Sequence, residues 1–114
     1  MTLKEYLELH RRLCDEARDL SARKNHDYAG ADGRDPFANF RSCELLGVTT
    51  TTRGFLVRMT DKIRRIVEFS RSGTFAVTDE KLEDTIKDLI NYACLLYAYE
   101  QARKESVDSV PASE

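Results

Sequence analysis

Two carboxylates, Asp84 and Asp88, stand four residues apart in the stretch EDTIKDLINY. In a helix that spacing puts both on one face, one turn apart. Side chains within reach of Asp88 on its own helix are Asp84, Thr85, Asn91 and Tyr92, and none is cationic. Like charges so placed repel by about 0.2–0.5 kcal/mol when exposed, and by more when buried. A divalent cation between them reverses that sign. Hard oxygen ligands suit magnesium, which commonly takes one or two carboxylates together with substrate phosphates. The competing reading is a solvated helix face on which Lys81 and Lys87 neutralise Asp84.

A second acidic pair, Asp61 and Glu68, lies two turns apart on an earlier helical stretch. Each has local cations, Arg58, Arg64 and Arg65 for Asp61 and Arg64, Arg65 and Arg71 for Glu68, which favours ordinary surface ion pairs. Arg58 and Lys62 fall beside the apolar stripe of that stretch. They either snorkel to water or direct positive charge at a phosphate. Lys24, Asp27 and Tyr28, with Asn39, Phe40 and Arg41, offer an aromatic, an amide and charges of the kind that hold a base and sugar. The chain has no calcium-loop, HExxH or phosphate-loop spacing. His10 reads as a core histidine. The three cysteines, Cys14, Cys43 and Cys94, form no CxxC pair and read as small core residues.

These groups need helices to position them. Apolar spacing predicts a first helix from Thr2 to about Asn25, its stripe built from Leu3, Tyr6, Leu7, His10, Leu13, Cys14, Ala17 and Leu20. HDYAGADGRD reads as a loop. Asp35-Pro36 starts a short helix that Gly47 ends. Thr51 or Thr52 caps a third helix, about Arg53 to Ser70, with Phe55, Leu56, Met59, Ile63, Ile66 and Val67 as its stripe and Gly73 as its stop. Thr74 to Val77 reads as extended. Thr78 caps a last helix, about Asp79 to Lys104. On it Leu82, Ile86, Leu89, Ile90, Ala93 and Tyr97 oppose Asp84, Asp88, Asn91, Leu95 and Tyr99. From Leu89 onward that helix is apolar nearly all round, so Asp88 and Asn91 are expected in a partly enclosed space.

The expected fold is therefore all-α, a compact bundle of about four helices, three long and one short. It forms a single domain over residues 1–104 with a polar tail at 105–114. A chain of 114 residues with 41% apolar and 33% charged residues is globular in composition. Its net charge of −2, with signs interspersed, argues against duplex nucleic acid as a partner. No apolar run is long enough to span a membrane, and MTLKEYLELH lacks a signal peptide's apolar core. The expected location is the cytoplasm.

The strings KNHDYAG, DPFANF, GFLVRMTDKIRRI and EDTIKDLINYACLL resemble phage and bacterial proteins of the nucleotide-modification-associated family. That family is similar to MazG-like all-α nucleoside triphosphate pyrophosphatases. The resemblance spans roughly Lys24 to Leu96, and its best match is Asp88 four residues before Tyr92. It implies a MazG-like bundle completed by dimerisation. It also implies magnesium-dependent hydrolysis of a (deoxy)nucleoside triphosphate to monophosphate and pyrophosphate, in phage nucleotide metabolism within the host cytoplasm. Asp61, Glu68, Asp84 and Asp88 become the implied metal ligands. Asp88 and Lys62 become the implied catalytic groups, and Lys24, Asp27, Tyr28, Asn39, Arg58 and Asn91 the nucleotide contacts. The pattern departs from the family at Thr85, where an acid is usual, and in lacking Glu-x-x-Glu on the third helix. Two alternatives follow: a non-catalytic protein that sequesters a nucleotide, or a helical module that dimerises through Tyr92, Leu95 and Tyr99.

Overall fold

A computed structural model describes residues 1–28, 35–74 and 81–109, with side chains at 1–24, 35–74 and 81–106. It contains four helices: α1 (Leu3–Tyr28), α2 (Ala38–Leu45), α3 (Thr51–Ser72) and α4 (Leu82–Ser109). No strand occurs among the described residues. Thr74 is non-helical, and the rest of the expected extended segment lies outside them.

Local chemistry explains most helix boundaries. The Thr2 hydroxyl accepts the Glu5 N–H at 3.1 Å while the Glu5 carboxylate accepts the Thr2 N–H at 2.8 Å, a reciprocal capping box. The Asp35 carboxylate accepts the Phe37 N–H at 3.0 Å and so organises the turn before α2. Gly47 and Gly73 adopt left-handed φ values of 77° and 76° after α2 and α3, where a Cβ would be strained.

Four expectations about the elements change. First, α3 is capped by Thr50, whose hydroxyl accepts the Arg53 N–H. The two threonines expected as caps turn inward instead: Thr51 gives its N–H to Glu44 at 2.9 Å, and Thr52 gives its hydroxyl proton to Glu100 at 2.5 Å. Second, α1 continues through Tyr28, past the expected end at Asn25. Third, α4 continues to Ser109, five residues past Lys104. Nothing in KESVDS breaks a helix, and the first breaker is Pro111, which restricts the residue before it. Fourth, the first part of the α1 stripe is not core. Leu3, Tyr6, Leu7 and His10 are exposed, and the packed face begins further along, at Leu13 and Ala17.

Helix directions follow from the contacts. Arg12–Glu83 and Glu16–Lys87 step the same way along both helices, so α1 and α4 run broadly parallel. Thr52–Glu100 and Lys62–Asp88 step oppositely, so α3 and α4 are antiparallel. The core is aromatic. Phe37, Phe40, Phe55 and Tyr99 are buried together, with Tyr92, Leu95 and Leu96 packed against them. Phe40 stacks on Phe55 with ring centroids 4.5 Å apart, and Phe37 meets Tyr99 edge-on at 5.7 Å. Tyr99 and Leu95 therefore serve the chain's own core and not an outer surface. The dimerisation face expected at Tyr92, Leu95 and Tyr99 is corrected on that ground. The opposite side of α4 is open at Ala93, Cys94 and Tyr97. Cys94 is thus a surface thiol, while Cys14 and Cys43 are partly covered.

Candidate functional site

Asp88 sits where three helices meet. Lys62 of α3 brings its Nζ to 2.9 Å from Oδ2, and Lys24 of α1 brings its Nζ to 3.5 Å from Oδ1. The Lys62 and Asp88 side chains are only 13% and 20% exposed, whereas Lys24 is 38% exposed and opens the centre to water. Its own helix places no cation within reach of Asp88, and the counterions come instead from two other helices. An ion pair drawn this far from water needs several partners to offset desolvation, and one carboxylate serving two ammonium groups supplies them.

The surroundings of this centre are ordered by the aromatic core. One turn before Lys62, Arg58 lays its guanidinium 5.0 Å above the Phe40 ring. One turn after Asp88, Tyr92 meets the same ring edge-on at 6.2 Å. Phe40 thus joins the two helices that carry Lys62 and Asp88. Gly54 permits that approach: a Cβ there would lie 2.7 Å from the Cys43 sulfur, which bonds the Phe40 carbonyl at 3.3 Å. Two cations, Lys24 and Lys62, therefore meet on a single carboxylate, with Arg58 one helical turn before Lys62 over the Phe40 ring. Each ammonium has three N–H donors and, among the described residues, pairs with Asp88 alone, so donors remain for a further acceptor.

The other expected ligands stand elsewhere. Asp84 is exposed. Asp61 is bridged by Arg64 at 3.1 Å and Arg65 at 3.5 Å. Glu68 is exposed on the outer side of α3. Among the described residues no group of three or more His, Cys, Asp or Glu side chains is placed to share a metal ion. The expected four-carboxylate magnesium set is therefore corrected: its acids do not converge within this chain, because Asp88 turns inward to lysines and Asp61 outward to arginines. Among the expected nucleotide contacts, Asn39 is exposed, Asn91 is partly covered, and the side chains of Asp27 and Tyr28 lie outside the described residues. Phe40 is 3% exposed and is not open to a stacking base.

A second charged arrangement had a partial sequence signal. Arg12–Glu16 and Glu83–Lys87 are i,i+4 pairs, and the structure joins them into a ring. Arg12 reaches Glu83 at 2.7 Å and Lys87 reaches Glu16 at 2.7 Å. The Lys87 hydrogen bond holds the Glu16 carboxyl below its ordinary range, and the Arg12 hydrogen bond does the same for Glu83. Glu16 in turn raises the Lys87 ammonium. Lys87 is thereby engaged with Glu16 and Glu83, and is not the neutraliser of Asp84 that its spacing offered.

Among known proteins, no family model, no curated protein and no solved structure matches the chain. No described helix is long and apolar enough to cross a membrane.

Proposed function

We propose that this protein binds a nucleotide through its phosphates at the Lys24–Asp88–Lys62 centre, without a resident metal. The observation that carries the reading is the convergence of two lysines from separate helices on one half-buried carboxylate, with Arg58 one turn away. Asp88 holds the ammonium groups at a fixed separation while leaving N–H donors and a net positive charge. A phosphate placed over Lys24 and Lys62 would complete their hydrogen bonding with short, charge-assisted contacts. Support also comes from the four sequence blocks that resemble the nucleotide-modification-associated family, since each contributes to this place: Lys24, Phe40, the Arg58–Lys62 turn and the Asp88–Tyr92 turn.

Titration calorimetry with nucleoside mono-, di- and triphosphates in EDTA tests the proposal. Binding is expected without divalent cation, to tighten with phosphate number, and to be lost in Lys62→Met. Asp88→Asn is the sharp variant. If Asp88 is an internal counterion, its removal unmasks the lysines and preserves or strengthens phosphate binding. Loss of binding in Asp88→Asn, with the helical circular dichroism intact, would sink the reading.

A second reading, magnesium-dependent pyrophosphohydrolysis, is favoured by one observation: Asp84, the acid one turn from Asp88, is exposed and forms no ion pair among the described residues. It predicts pyrophosphate release from a triphosphate only with magnesium, abolished in Asp84→Asn and Asp88→Asn alike.

A further inference from the structure

Helix α1 is attached to the bundle differently from α3. Among its described side chains only Ala17 is buried, and Leu9, Leu13 and Leu20 are partly covered. It is also tied to α4 by the ion pairs Arg12–Glu83, Glu16–Lys87 and Lys24–Asp88, each with at least one partner 38–47% exposed to water. A helix held by so few buried apolar groups opens more readily than one built into the core. Helix α1 packs on α4 and α2, and among the described residues it makes no backbone approach to α3. Asp88 is the group that links the charges of the two helices, taking Lys24 of α1 on Oδ1 and Lys62 of α3 on Oδ2. A phosphate that accepts donors from both ammonium groups would join α1 to α3 directly.

We infer that α1 is a clasp: it opens from the bundle on its own, and an anionic phosphate ligand held between Lys24 and Lys62 keeps it shut. The clasp depends on the phosphate site proposed above and supplies its regulation. Only a docked α1 presents Lys24, so the ligand binds the docked form more tightly than the open one. Linkage then requires the ligand to strengthen docking by the same factor. That factor is what Lys24 contributes to binding, about ten- to a hundredfold for a hydrogen bond to a charged group. Opening and fastening are controlled at separate places. The ring of Arg12, Glu16, Glu83 and Lys87 sets how often α1 opens, and Lys24 sets how firmly the ligand shuts it. Arg12 stands twelve residues before Lys24, about 18 Å along the helix.

Hydrogen exchange of the full chain, read helix by helix by mass spectrometry with ATP in EDTA, tests this. In the free chain α1 is expected to exchange ahead of α3 and α4. Rising ATP is expected to slow α1 by about tenfold or more and then no further. Amides released only by unfolding of the whole chain continue to slow as ATP rises. The ceiling for α1 should match, within about threefold, the factor by which Lys24→Met weakens ATP binding in calorimetry. With ATP saturating, Lys24→Met is expected to lose the slowing and Lys24→Arg to keep it. Arg12→Ala is expected to quicken α1 in the free chain and to leave the ceiling where it was. ATP that binds to saturation without slowing α1 leaves the phosphate site standing and overturns the clasp. So does an α1 that slows in step with α3 and α4 at every ATP concentration, or a ceiling that survives Lys24→Met. Absence of ATP binding in calorimetry overturns both the site and the clasp.

Discussion

The two seams of α4 are built differently. Against α3 it lays aromatic rings and one half-buried carboxylate paired with Lys62. Against α1, beside Ala17, it lays a ring of charges at the water's edge. The groups of the first seam are largely covered, so each depends on its partners. In the second, solvent can replace any partner, and such exposed pairs contribute little individually. Fixed charge positions belong to the seam that holds them, and Lys62 with its counterion Asp88 is in that seam.

The largest expected effect comes from removing the ring at its centre. Phe55 is fully buried and touches both Phe40 and Tyr99. Phe55→Ala is expected to cost about 3–5 kcal/mol in urea unfolding. A loss below about 1 kcal/mol would show that the α3–α4 seam is not the cohesive one.

Next comes the charge centre. Asp88→Leu leaves Lys62 half-buried without its acceptor, and about 1–3 kcal/mol of stability is expected to be lost. The additional variant Lys62→Met should recover much of it, because two apolar groups replace a pair. A double-mutant cycle measures the coupling. Additive losses would mean that the contact is as slack as those at α1.

A smaller effect, of opposite sign, is expected at Thr51. It is fully buried, and its hydroxyl oxygen has no hydrogen-bond partner among the described residues. Thr51→Val keeps the shape and removes the desolvated oxygen, so thermal unfolding should show a gain of about 1 kcal/mol.

The α1 seam should respond least to substitution and most to conditions. Arg12→Ala is expected to lower the melting temperature slightly, and high salt should erase the difference. Acid should act at the same place. Glu16 and Glu83 are held below the ordinary carboxylate value in the folded chain, so their contribution is present above that value. It is lost as pH falls through the folded ones. Relative to an unfolded chain, amide protection along α1 is therefore expected to fall below about pH 4, before protection in α3 does. Simultaneous opening of both helices would erase the distinction between the seams.

Much of the fold was legible in local chemistry. Gly47 and Gly73 stop their helices because only glycine takes positive φ without strain. The 3.6-residue spacing named all the long helices. The candidate site was legible in its members and not in its wiring. Lys24, Lys62, Arg58 and Asp88 are visible as charges beside apolar stripes, but their separations in the chain, 64 residues for Lys24 and Asp88, carry no signal of contact. The metal set failed for the same reason, since acids at helical spacing do not reveal which way each helix is turned.

By itself the sequence determined an all-helical chain, because periodicity and caps are properties of neighbouring residues. It also determined that Asp88 would need a partner, because its own helix offers none. Only the tertiary structure decided which stripe of α3 faces inward and which face of α4 meets it. Both helices are apolar over a wide arc, and packing alone chooses between faces that local energies leave nearly equal. That choice turns Asp88 toward two lysines and leaves Leu56, Ile63 and Val67 in water.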